Sequence, residues 1–123
     1  MTAQVVTNTE VKNPQGLQTL VCDWACTDLG VVATTSSYSY TGQIVEVLFV
    51  PDTAGTAPDD LYDVTITDGT YDLLFGQGAN LSGTLSVALL GNLGYVNSAF
   101  LTIAIAGAGD ANGGVITVVV KEP

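Results

Sequence analysis

Short runs of β-branched and aromatic residues, separated by glycine, proline and aspartate, extend through this sequence from end to end. Valine, threonine, isoleucine and tyrosine fill these runs, and these residues fit the pleated surface of a strand. No stretch of a dozen residues keeps a helical stripe of apolar side chains between capping residues. The sequence therefore predicts an all-β fold with little helix, a β-sandwich or barrel of about eight short antiparallel strands. Its length of 123 residues indicates one domain over 1–123.

Turn signals divide the chain into its predicted strands. We expect a turn at 13–16, where the sequence reads NPQG, and another at Thr41 and Gly42. The last two runs are expected to form a hairpin around a loop that contains the sequence AGDANGG. The segment 84–90 fits either a strand or a short helix. The other runs are predicted as strands over 4–11, 17–27, 32–40, 43–50, 62–68, 71–76, 98–107 and 115–122.

The charge is strongly one-sided. Twelve acidic residues stand against two lysines, Lys12 and Lys121, with no arginine, and the formal net charge is −10. Nucleic-acid and anionic-membrane binding depend on clustered Lys and Arg, so we predict neither partner. No secretory signal and no apolar run of about 18 residues is visible, which predicts synthesis in a cytoplasm without insertion into a membrane.

Apolar residues are more abundant than a lone small domain needs. They make up 47% of the chain, whereas charged residues make up 11% against a usual share of about 25%. In the run 98–107, both alternating faces are apolar: Leu101, Ile103 and Ile105 on one, and Phe100, Ala104 and Ala106 with Thr102 on the other. A strand that is apolar on both faces is covered on both, and a neighbouring subunit is one candidate for the second cover.

Two cysteines lie four positions apart around the single tryptophan. A strand over 17–27 places four apolar side chains on one face: Leu20, Cys22, Trp24 and Cys26. At about 3.3 Å per residue the two cysteines are about 13 Å apart, whereas a disulfide needs Cα atoms within about 7 Å. A structural zinc site needs four Cys or His ligands, and the chain has no histidine. We therefore interpret both cysteines as reduced core residues.

Six aspartates fall between 52 and 72, and two interpretations stay open for them. Calcium binds clusters of carboxylate oxygens, but aspartate is also a preferred turn residue because its side chain bonds the nearby backbone. The spacing fits no calcium loop, which favours turn roles. The six residues are Asp52, Asp59, Asp60, Asp63, Asp68 and Asp72.

The sequence contains no catalytic signature that we can assign. Without histidine, a Ser-His-Asp or Cys-His device is excluded, and the few aromatic residues argue against the sugar cleft of a glycosidase that uses paired carboxylates. The glycines of GQGANLSG, at 76–83, lack the following helix of a dinucleotide-binding loop and fit turn positions with positive φ. We therefore predict a protein that is not an enzyme, with no catalytic, cofactor-binding or metal-ligating residues and no cofactor.

The region 51–82 resembles small structural proteins of tailed bacteriophages. The likeness lies in the sequence VPDTAGTAPDDLYDVTITDGTYDLLFGQGANLSG, which has a proline-bounded loop, an acidic strand and turn, and a GQGANLS segment. The region from Trp24 to Gly30 and the closing VVVKEP are also similar. The resemblance implies a virion component, and within that class a capsid decoration or cement protein built as a jelly-roll-like β-sandwich.

The implied role is binding to the outer surface of the phage head as a dimer or trimer, with the major capsid protein as partner. The expected location is the virion, after synthesis in the cytoplasm of the bacterial host. One alternative is another virion β-module, from a tail, head fibre or baseplate. A second is a carbohydrate-binding module, for which Tyr38 and Tyr40 are the candidate aromatic platform because alternate residues of a strand share a face.

Overall fold

The computed structural model describes residues 3–12 and 16–123, and its strands form one antiparallel sheet. In chain order they are β1 (Val5–Lys12), β2 (Leu17–Ala25), β3 (Val32–Pro51), β4 (Asp63–Thr67), β5 (Val87–Leu89), β6 (Tyr95–Ala106) and β7 (Gly113–Lys121). A 3-10 turn at Ala54–Thr56 is the only helical segment in these ranges. The prediction of an antiparallel all-β fold is confirmed. The predicted turn at 13–16 lies, apart from Gly16, outside the described residues.

The sheet folds back on itself along the 20-residue strand β3. The strand order is β1-β2-β7-β3-β6-β4, with β5 also paired to β3. Residues 32–43 of β3 pair with β6, and residues 43–51 pair with β7. The two halves of the sheet meet in the core, where the rings of Trp24 and Tyr62 have centroids 5.9 Å apart. A jelly-roll sandwich of two sheets is not confirmed by this order.

The predicted turn at Thr41 and Gly42 is wrong, because both residues lie inside β3. The register of β3 against β6 shifts between Tyr40 and Gly42. A side chain at Gly42 would collide with the backbone carbonyl of Lys121 in β7, and its φ is 147°. Glycine inside a strand marks a close approach of another backbone, so Gly42 permits the crossing of β3 from one half of the sheet to the other.

The predicted hairpin of the last two strands is also wrong. β6 pairs with β3 and β4, whereas β7 pairs with β2 and β3, so β3 lies between them. The connecting segment crosses the start of β3, where the amide of Ala108 donates to the carbonyl of Gly30 at 3.2 Å. The loop between β6 and β7 is therefore long enough to pass over a strand.

Two further runs differ from their predicted strands. Residues 73–78 form consecutive turns, and Asp72 makes only an isolated bridge to Thr67. The Asp72 carboxylate accepts the amides of Leu74 at 3.0 Å and of Gly76 at 2.9 Å, which holds the chain in turns. Of the segment 84–90, only β5 is a strand.

The core is built from alternating residues, as the pattern predicts. The four apolar side chains predicted to share one face of β2 and its extension are at most 2% exposed: Leu20, Cys22, Trp24 and Cys26. In β6, Leu101, Ile103 and Ile105 are buried, whereas Phe100 on the opposite face is 51% exposed. No helix in the described part of the chain is long and apolar enough to cross a membrane.

Candidate functional site

The two cysteines are structural core residues. Both thiols are free, and neither side chain is accessible to solvent. Burial raises the pKa of the Cys22 thiol to about 11, with a smaller contribution from the charge of Asp23. The Cys26 thiol donates to the carbonyl of Gly109 at 2.8 Å. Since a reactive cysteine needs a lowered pKa and access, the interpretation as core residues is confirmed.

Four of the six aspartates between 52 and 72 accept backbone amides of the loops. Asp68 accepts the amides of Thr70 and Tyr71, both at 2.9 Å, and these bonds lower the pKa of its carboxyl group. Asp63 and Asp60 accept the amides of Asn80 and Gly83, respectively, so they tie the loop 76–83 to the beginning of β4. A turn role is thus confirmed for Asp68, as it is for Asp72, whereas Asp63 and Asp60 bond amides 17 and 23 residues away. Within the described ranges, no group of three or more Cys, Asp or Glu residues is placed to hold a metal ion.

The GQGANLSG segment is packed against β4. The amide of Val64 donates to the carbonyl of Gly78 at 2.8 Å, and a side chain at Gly78 would collide with the carbonyl of Val64. Gly76 has a φ of 80°, the positive-φ turn conformation that the sequence predicts. These contacts give the glycines a structural role at the edge of the sheet.

A broad surface on one side of the sheet is the first candidate for function. We call it the outer sheet face: the side chains of β1, β2, β7, β5 and the second half of β3 that point away from the core. Directly paired residues share a face, so the registers define its central row, which contains no charge: Thr9, Val21, Thr117, Leu48 and Ala88. The flanking rows are Val11, Thr19, Val119 and Glu46, and Thr7, Asp23, Val115 and Val50.

The outer sheet face is large, and its charged residues lie outside the central row. Five strands about 4.8 Å apart, over about 25 Å of strand length, give roughly 500 Å². Such an area on each of two partners approaches the roughly 1,000 Å² in total that a specific interface needs. The charged members of the three rows are Asp23 and Glu46, and both lie in the flanking rows.

A cleft between the end of β1 and the middle of β3 is the second candidate. Its first hollow, of about 350 Å³, is lined by Glu10, Val11, Lys12, Tyr38 and Tyr40. Its second, also of about 350 Å³, is lined by Lys12, Gln18, Ser39, Thr41, Glu122 and Pro123. Lys12 lines both, so we treat them as one feature, the β1–β3 cleft. Each hollow lies within the usual range of small-molecule sites, about 300–1,000 Å³.

Glu10 fixes one wall of the β1–β3 cleft. Its carboxylate accepts the Tyr40 hydroxyl at 2.7 Å and the backbone amides of Ser37 at 2.9 Å and Tyr38 at 3.2 Å. Burial acts to raise the pKa of Glu10, but these hydrogen bonds outweigh it and the pKa is lowered. Burial, reinforced by the hydrogen bond to Glu10, raises the pKa of Tyr40. Glu10 thus ties β1 to β3 by side-chain bonds, where the two strands form no ladder.

Gln18 forms part of the other wall. It is 3% exposed, and its Nε2 donates to a carboxylate oxygen of Glu122 at 2.9 Å. That bond sets the orientation of the amide, because a carboxylate only accepts. The Oε1 atom is left without a hydrogen-bond donor among the described residues. Buried acceptors are usually paired, by protein or by an ordered molecule.

The predicted aromatic platform of Tyr38 and Tyr40 is only half present. Tyr38 is 59% exposed, but Tyr40 is 2% exposed. Between Thr35 and Ser39 the register of β3 shifts relative to β6, so two extra residues interrupt the alternation that would keep both rings on one face. The prediction is therefore wrong for Tyr40, whose hydroxyl is used inside the fold.

Comparisons of the chain with protein-family models, with characterised proteins and with solved structures returned no match.

Three residues of the β1–β3 cleft, Glu10, Lys12 and Gln18, were not candidates at the level of the sequence. Glu10 follows Gln4 and Asn8 on one alternating face of the first strand, and these three side chains all reach β3. The sequence could have shown that one alternating face of the first strand carries three polar residues. It could not have shown that this face contacts β3.

Proposed function

We propose that this chain is a structural binding protein that packs its outer sheet face against an ordered protein surface. The more specific proposal is a decoration protein on the outside of a tailed-bacteriophage head, with the major capsid protein and further copies of itself as partners. The role is one of binding, and no catalytic step is assigned to any residue.

The outer sheet face is the observation that carries this proposal. Interfaces differ from other surfaces mainly in the depletion of charge at their centre, and the central row from Thr9 to Ala88 is uncharged. A face rich in β-branched residues supplies contact area at low cost in side-chain entropy, since Val and Thr have few rotamers to lose. These properties favour the binding of another protein surface.

Charge and sequence resemblance support the location. A net charge of −10 repels packaged DNA and suits the exterior of a head. The similarity of 51–82 to small phage structural proteins supports the same class. A protein that binds only the assembled capsid lattice stabilises that lattice by mass action. Capsid cement proteins stabilise heads on this physical basis.

Fractionation of purified phage particles into heads and tails tests the location. Mass spectrometry then counts the copies of this chain in each fraction. Hundreds of copies on heads are expected for a decoration protein. A few copies on tails or at a single vertex would instead support a tail, fibre or baseplate module, and absence from the particle would overturn the proposal.

A pair of matched variants tests the surface. Thr117→Lys places a charge at the centre of the outer sheet face, and Thr65→Lys places the same charge on exposed β4 in the other half of the sheet. A buried charge without a partner costs several kcal/mol, so Thr117→Lys should lower binding to heads stripped of this protein at least tenfold. Thr65→Lys should bind like the unmodified chain. The reverse result would place the contact elsewhere.

A further inference from the structure

We propose that the β1–β3 cleft is a binding site for a neutral saccharide. The two hollows that Lys12 joins offer room for a small molecule, and their lining combines one exposed aromatic ring with several hydrogen-bonding groups. This site is separate from the central row of the outer sheet face, and the proposal does not depend on a role in a virion.

The unpaired acceptor of Gln18 is the first argument. Its amide nitrogen is already committed to Glu122, and its Oε1 has no donor in the described ranges. A buried acceptor that lacks a partner costs about 1–3 kcal/mol. A ligand hydroxyl in the second hollow, which Gln18 lines, would supply the missing donor.

The exposed groups around Gln18 are those that recognise sugar hydroxyls. Ser39 contributes an exposed hydroxyl that donates and accepts, and Lys12 contributes a donor to both hollows. The Thr41 hydroxyl, also in the lining, already accepts the amide of Ser98 at 3.0 Å. Glu122 has a carboxylate that accepts. Each sugar hydroxyl both donates and accepts a hydrogen bond. A site that offers donors and acceptors side by side can therefore satisfy it fully.

Tyr38 supplies the apolar contact. Its ring is 59% exposed and lines the first hollow beside Val11. An aromatic face carries partial negative charge, so it attracts the polarised C–H groups on the apolar face of a sugar ring. The backbone of Tyr38 is held by Glu10 at 3.2 Å, which fixes the ring's attachment point before any ligand binds.

Charge in the cleft selects a neutral ligand. Lys12 is its one cation, and two carboxylates, those of Glu10 and Glu122, also line the hollows. An anionic sugar or a phosphate would meet more negative than positive charge. A purely apolar ligand would leave the hydroxyls, the ammonium group and the Gln18 acceptor without partners. A neutral saccharide satisfies both conditions.

The test is an NMR titration of the ¹⁵N-labelled protein with four neutral trisaccharides: maltotriose, cellotriose, mannotriose and the trimer of N-acetylglucosamine. At least one should shift the side-chain amide of Gln18 and the backbone amides of Ser39 and Thr41, with a dissociation constant in the millimolar range or tighter. Tyr38→Ala should weaken that binding about tenfold, as expected for loss of one aromatic contact. Tyr71→Ala, which removes a ring that is 68% exposed outside the cleft, is the matched control and should bind normally.

Three outcomes would overturn the proposal. They are the absence of shifts with all four probes, shifts that map outside the cleft, and binding that Tyr38→Ala leaves unchanged. Should Tyr38→Ala not fold, as judged by circular dichroism, Ser39→Ala takes its place and should also weaken binding. Binding to phage heads is measured in a separate experiment. A negative saccharide titration therefore does not affect the proposed role as a decoration protein.

Discussion

Replacement of Gly42 by alanine tests the close approach of β3 to β7, at the position where β3 passes from one half of the sheet to the other. Gly42 lies where β3 leaves its pairing with β6 and continues along β7. A Cβ at this position would collide with the carbonyl of Lys121 and lie 3.0 Å from the Val120 side chain. The neighbouring backbone is part of the ladder between β3 and β7, so it can move away only by breaking that ladder.

Two costs add in the Gly42→Ala variant. The φ of 147° is one that side chains avoid, and positive φ costs a non-glycine residue about 1–2 kcal/mol. Overpacking against β7 costs about 1–3 kcal/mol more. We therefore expect the free energy of unfolding to fall by about 2–5 kcal/mol, a large part of the roughly 5–15 kcal/mol that holds a small domain together.

Urea denaturation followed by the fluorescence of Trp24 measures this loss, because Trp24 is the only tryptophan and is buried. With a slope of about 2 kcal/mol per molar urea, the middle of the usual range, the midpoint should fall by roughly 1–2.5 M. Gly55→Ala is the control, since a Cβ there meets nothing within 4 Å. If Gly42→Ala unfolds at the same urea concentration as this control, the close approach of β3 to β7 is refuted.

Three other substitutions or reagents probe the side chains of the fold. Because the pKa of Glu10 is lowered in the folded state, its contribution to stability is present above the ordinary glutamate pKa of about 4.3 and is lost as the pH falls through the folded value. Urea midpoints at pH 7 and pH 3 should therefore differ less in Glu10→Gln than in the unmodified chain, and an equal difference would contradict this role. Cys22, with its pKa raised to about 11, should resist a thiol reagent at pH 8 until urea unfolds the protein, and mass spectrometry that finds it labelled in native buffer would contradict its burial. Asp72→Ala leaves the amides of Leu74 and Gly76 without their acceptor and should lower the urea-derived free energy of unfolding by about 1–2 kcal/mol, whereas an unchanged value would show that water replaces the carboxylate without loss.

Local patterns in the sequence predicted the parts of the fold that depend on local geometry. Alternation in β2 identified the buried face that contains Trp24 because a strand's period of two is a property of the backbone itself. The run 62–68 was recognised for the same reason and forms β4. The turns at Asp68 and Asp72 were also predictable, since the bonds of these two side chains reach only a few residues along the chain.

The errors concern contacts between distant segments. Gly42 gives the same local signal for a turn as for a close approach, and only the position of Lys121, far along the chain, decides between them. The hairpin of the last strands failed because β3 is long enough to lie between them. Tyr40 was misplaced because a bulge is a mismatch between two strands and leaves little trace in one of them.

The geometry of β1 makes the two proposed surfaces separable by experiment. Thr7 and Thr9 belong to the outer sheet face, whereas Glu10 turns toward β3 and lines the cleft. Val11 borders both surfaces, but neither test substitution replaces it. Thr117→Lys should therefore weaken head binding at least tenfold without changing the saccharide titration. Tyr38→Ala should weaken saccharide binding about tenfold without changing head binding. If either variant keeps its fold but changes both measurements, the two surfaces are coupled. The hydrogen bonds of Glu10, which join β1 to β3, are then the structural element to test as the cause.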